Sequence, residues 1–162
     1  MEIALVRALG VPLEGSLEFD ETEHSFRFTP ASPLDLADRV DGGGLTSLSI
    51  GTLQIELAVA TGSLLFVWGL HPHASWSERS IGSPQAASGL VRVARREIFA
   101  PGVTLGIADV GVWSTSFDAE TGWVRASAAG RPDDTQVLIA TDTVLGLRGG
   151  HLNSIWLRPE FV

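Results

Sequence analysis

The chain has 162 residues with no Lys, Cys or Tyr; its 11 cations are all Arg, set against 19 carboxylates and 4 His for a net charge of −8. That inventory removes thiolate nucleophiles, Schiff-base amines, phenolic acids and Cys-ligated metal centres, and leaves Ser, Thr, His, the carboxylates and Arg for any chemistry. Residues 1–81 hold 4 Arg against 11 Asp/Glu and residues 82–162 hold 7 against 8, so the first half repels a phosphate backbone. The small cluster Arg92, Arg95 and Arg96 does not reverse this; nucleic acid is not expected as a partner, and a neutral or cationic one is favoured.

A chain of this length buries about 70% of its unfolded surface as one domain, here residues 1–162, and without Cys its stability rests on packing and backbone pairing. No run approaches the roughly 18 to 20 apolar residues of a membrane span, and Met1-Glu2-Ile3-Ala4 lacks a basic leader. The expectation is a cytoplasmic protein with no membrane partner. Exclusive Arg usage and a single Asn read as the codon bias of a GC-rich bacterial genome.

In chain order, Leu17 and Phe19, then Phe26 and Phe28, alternate around the acidic turn Asp20-Glu21-Thr22-Glu23 and predict a hairpin. Ser32-Pro33-Leu34-Asp35 carries an N-cap, a first-turn Pro and an acidic third residue, predicting a short helix over Leu34–Val40 that Gly42-Gly43-Gly44 ends. Leu53, Ile55, Leu57 and Val59 share one face of a strand, and Leu64-Leu65-Phe66-Val67-Trp68 forms the most apolar one. Ser83-Pro84 suggests a second helical turn. Further strands are expected around Trp113, Thr115 and Phe117, and around Val137, Ile139 and Thr141. Breaks every eight to twelve residues or so make this a mainly β chain: an antiparallel barrel or sandwich of about 8–10 strands with one or two short helical turns.

The two halves echo each other. Phe19-Asp20 before Phe26-Arg27 resembles Phe117-Asp118 before Val124-Arg125; Gln54-Ile55-Glu56-Leu57-Ala58 resembles Gln136-Val137-Leu138-Ile139-Ala140; and Gly62-Ser63-Leu64 with Val67-Trp68 resembles Gly150-His151-Leu152 with Ile155-Trp156. This predicts two related half-sheets.

Sequence motifs for chemistry are few. His71-Pro72-His73 has ligand-like spacing, yet His24 and His151 stand in no fixed relation to it, so no metal and no cofactor is expected. There is no G-x-S-x-G elbow, no P-loop, and no dinucleotide fingerprint, and Glu18 and Asp20 point outward as a solvated hairpin. The five Trp are the remaining excess: amphipathic rings that line a cavity as readily as they fill a core. The resulting expectation is a barrel or sandwich binding an apolar small molecule, with Trp68, Trp76, Trp113, His71, His73 and Arg27 around the ligand, and with confinement of the substrate as the route to any cyclase or isomerase activity. An acidic inhibitor or immunity-type interaction module is the alternative, and a metal-assisted hydrolase around His71 and His73 the third. Edge strands able to pair between chains add a homodimer to the expected partners.

Overall fold

In the computed structural model, which describes residues 3–108, 113–128 and 131–162, the predicted alternation becomes strands. Met1 and Glu2, on which part of the N-terminal reading rests, lie outside the described residues. The chain runs β1 (Leu5–Ala8), β2 (Gly15–Asp20), β3 (Ser25–Pro30), α1 (Pro33–Val40), β4 (Leu45–Ile50), β5 (Leu53–Ala58), β6 (Leu64–Leu70), β7 (Ser77–Glu78), β8 (Ala87–Ser88) and β9 (Leu90–Val93). It continues with β10 (Leu105–Ala108), β11 (Trp113–Phe117), β12 (Val124–Ala128), β13 (Thr135–Ala140), β14 (Thr143–Arg148), β15 (His151–Leu157) and β16 (Glu160–Phe161), with 3-10 turns at His73–Ser75 and Arg96–Ile98.

Two seven-stranded sheets result, ordered β10-β4-β5-β6-β3-β2-β16 and β7-β11-β12-β15-β14-β13-β8. Neither closes on itself, so the architecture is a sandwich and not a barrel. Each open edge is a short strand, a form that limits pairing with another chain. Leu17, Phe19, Leu48, Ile55, Leu57 and Val67 from the first sheet and Val137, Ile139, Leu145, Ile155 and Leu157 from the second are buried in one core. No helix is long and apolar enough to cross a membrane among the described residues.

The echo in the sequence is an echo in topology. The central strands β4-β5-β6-β3-β2 and β13-β14-β15-β12-β11 have the same order, and each set is flanked by parallel additions: β10 on β4 and β16 on β2, β8 on β13 and β7 on β11. The β5–β6 ladder slips between Glu56 and Leu57, and the β14–β15 ladder slips at the matching step between Gly146 and Leu147. Gly62 and Gly150, which lead into β6 and β15, have φ of 75° and 76°. Asp20 Oδ1 accepts from the Thr22 and Glu23 amides, as Asp118 Oδ1 does from those of Glu120 and Thr121, so the two hairpins close through the same side-chain turn. One pairing in the sequence echo is corrected: Gln54–Ala58 lie in β5, whose counterpart by strand order is β14, whereas Gln136–Ala140 lie in β13, the counterpart of β4.

The predicted helix forms where its cap dictates. Ser32 Oγ accepts from the Asp35 amide at 3.1 Å, Pro33 opens the first turn, and Asp41 at φ 55° ends it. The helical turn expected at Ser83-Pro84 does not form. The amides of Ile81 and Gly82 donate to Asp118 Oδ2 and that of Gln85 to Gln136 Oε1, so this strap satisfies its backbone against the second sheet and has no need of a local turn.

Candidate functional site

Two cavities flank the Gly51-Thr52 turn between β4 and β5. The larger, about 680 Å³, is a groove on the outer face of the first sheet lined by Phe28, Glu56, Phe66, Trp68, Leu70 and Arg27, among others. It exists because β3 and β6 pair only through Ser25 with Leu70 and Phe26 with Gly69. Beyond that short ladder the strands carry the Phe28 and Phe66 rings, stacked at 5.2 Å between centroids and 15° between planes. Period-two alternation then puts Phe66, Trp68 and Leu70 on the groove side of β6 and Gln54 and Glu56 on that of β5. Trp68 is 40% exposed and Leu70 52%.

The Glu56 carboxyl lies in this apolar setting. Burial pushes it above the usual carboxylate range, and the Trp68 indole acts in the opposite direction as a hydrogen-bond partner. Arg27, also in the lining, is held by Glu18 at 3.1 Å and Asp20 at 3.8 Å.

The second cavity, about 350 Å³, is a cleft between the sheets bounded by Ile50, Leu53, His71, Pro72, Trp113 and Thr115. His71 Nε2 and Thr115 Oγ1 are 2.6 Å apart, and burial lowers the imidazole from 6.5 to about 4, so it is neutral at pH 7. A neutral imidazole paired with a hydroxyl can orient a polar ligand atom, but a base with so low a pKa is a weak proton acceptor at neutral pH.

The six residues predicted from sequence therefore divide into three places. Trp68 and Arg27 line the outer groove, and His71 and Trp113 line the inter-sheet cleft. His73 and Trp76 sit in an aromatic cluster: Trp76 lies 4.7 Å from His73, 4.8 Å from Phe19 and 5.9 Å from Phe26, centroid to centroid. The Trp76 indole nitrogen is buried with no hydrogen-bond partner among the described residues. Among the described residues no group of three or more His, Asp or Glu side chains is arranged to hold a metal ion. Glu56, Phe66 and Leu70 were missed by the sequence reading. The signal was the outward half of the alternation in Gln54-Ile55-Glu56, which acquires meaning only once β5 is known to pair with β6.

The matching place on the second sheet is filled by the chain itself. Asp133, its side chain 1% exposed, accepts from Ser154 Oγ at 2.7 Å, Asn153 Nδ2 at 2.8 Å, Gln136 Nε2 at 2.9 Å and Trp156 Nε1 at 3.2 Å. These hydrogen bonds outweigh burial and hold the carboxyl below its ordinary value. Gly146 makes room for it, because a Cβ there would collide with the Asp133 carboxyl group. Arg125 lies 3.7 Å from Asp133, with its guanidinium 5.1 Å from the Trp156 ring centroid. No protein-family model matches this chain, and no curated protein sequence matches it either.

Proposed function

We propose that the protein binds an apolar small molecule in the outer groove of the first sheet, with Trp68 as the platform. The observation that carries this is the exposure of Trp68 and Leu70 at a groove of about 680 Å³ whose counterpart on the other sheet is sealed by Asp133, Asn153 and Ser154. An indole left partly in water beside stacked Phe rings gains free energy when a ligand covers it, at about 25 cal/mol per Å² of apolar surface removed from water. The groove is open along its length and does not exclude water, which favours binding over catalysis by confinement.

The test is a titration with Nile red, a neutral dye that brightens in apolar sites. Binding should saturate, and both Trp68→Ala and Leu70→Asp should abolish it without unfolding the chain. His71→Gln should leave it unchanged. Dye binding that survives Trp68→Ala and is lost in Trp113→Ala would transfer the site to the inter-sheet cleft. A second reading, recognition of a basic protein, draws on the acidic hairpin Glu18, Asp20, Glu21 and Glu23 beside the groove. It predicts capture by a cationic protein such as lysozyme that weakens with salt and is indifferent to Trp68→Ala.

A further inference from the structure

The two halves of the sandwich carry the same framework on their outer faces and fill it differently. Strand order and the shared ladder slip place Trp68 with Trp156, Phe66 with Ser154, and Glu56 with Gly146. The hairpin registers place Arg27, which follows Phe26, with Arg125, which follows Val124.

On the second sheet both charges around the indole come from the chain. Arg125 supplies a cation over the Trp156 ring, and Asp133 supplies the anion that accepts from its N–H. Arg158 adds a second cation, 5.2 Å from the Trp123 ring centroid. On the first sheet the anion is still present, now as Glu56 on the strand itself in the position of Gly146. The cation is not supplied in the same way. Glu18 and Asp20 hold the guanidinium of Arg27, and the place of Arg158, the residue after β15, is taken by the apolar Leu70 at the end of β6. Among the described residues, the guanidinium–indole contacts are those of Trp156 and Trp123, and Trp68 has none.

Resting on the groove reading above, we infer that the ligand of the Trp68 groove is an organic ammonium ion with an apolar body, its cation set between the Trp68 ring and the Glu56 carboxylate. The chemistry is that of recognised ammonium sites: an indole face attracts a cation through its quadrupole, and a partly desolvated carboxylate gains more from a counter-ion than an exposed one does. Stacked Phe28 and Phe66, with Leu70, take the apolar body. The charged groups in the lining are Glu23, Arg27 and Glu56, and with Arg27 committed to Glu18 and Asp20 the groove presents a net negative field. The disturbed ionisation of Glu56 agrees with this, since burial raises it and, among the described residues, the opposing influence is the Trp68 hydrogen bond and not a cation.

The experiment compares two probes of one size, phenethylammonium and neutral 2-phenylethanol, on the full chain at pH 7. Binding is followed by the Trp68 indole N–H resonance, assigned through its loss in Trp68→Phe. The ammonium should bind at least tenfold more tightly than the alcohol. Glu56→Gln should bring the two within about twofold while the alcohol's affinity holds, and Trp68→Leu, which lacks the indole reporter and is followed by titration calorimetry, should weaken the ammonium more than the alcohol. Equal affinity of the wild type for both probes overturns the ammonium assignment and leaves the groove reading intact. A tenfold preference unchanged by Glu56→Gln also overturns the assignment. If neither probe moves the Trp68 resonance at millimolar concentration, the groove reading falls and the ammonium inference with it.

Discussion

Replacing Asp133 with Ala tests the reasoning about the second sheet most severely. The substitution removes a carboxylate that is 1% exposed; it takes from Ser154 and Gln136 their acceptor, leaves Asn153 with the Arg131 carbonyl and Trp156 with Ser154 Oγ, and takes from Arg125 its anion. Breaking a buried charge pair by deleting one partner costs about 3–5 kcal/mol. At roughly 2–4 °C per kcal/mol for a domain of this size, Tm should fall by about 6–20 °C in thermal melts at pH 7. The pH dependence supplies an internal control. Because the folded carboxyl lies below its ordinary value, its contribution is complete above the unfolded pKa and disappears as pH falls through the folded one. Wild type and variant should therefore converge on acidification below the usual aspartate range. A difference of less than about 1 kcal/mol at pH 7, or one that does not shrink in acid, would show that the network adds little beyond what water offers those donors.

Gly146→Ala should reproduce much of that loss, since the added Cβ would meet Ser154 Oγ as well as the Asp133 carboxyl; a neutral outcome would place Asp133 elsewhere in solution. His71 is expected to make folding sensitive to mild acid. Its folded pKa of about 4 lies below the ordinary 6.5, so the unfolded chain takes up this proton first; stability is complete above pH 6.5 and declines until about pH 4. The total is about 3 kcal/mol, and His71→Gln should flatten that slope in urea melts at pH 7.5 and 4.5. An unchanged slope would assign the acid sensitivity to other groups. Trp76→Phe should cost no more than about 1.5 kcal/mol against about 3–5 kcal/mol for Trp76→Ala, because it removes the unpartnered indole N–H along with part of the ring. Equal losses in the two variants would mean that this N–H has a partner in solution.

Features that depend on local chemistry were legible from the amino acids alone. Period-two alternation at Leu53, Ile55 and Leu57 assigns the buried face of β5, Asp20 and Asp118 close their own turns, Ser32 and Pro33 start α1, and Gly62 and Gly150 mark matching strand entries. Each follows from side-chain direction or backbone preference within a few residues, and together they made the mainly β class and the two related halves legible. Whether the sheets close, and which of two similar tryptophans remains open, was decided by the tertiary structure. Trp68 and Trp156 follow the same Gly-led strand pattern, but Asp133 reaches Trp156 from 23 positions away in sequence, seated on Gly146. The six residues proposed from sequence were separated into a groove, a cleft and an aromatic cluster for the same reason: strand alternation assigns a face, while the segment that covers that face is set by chain crossings far along the sequence.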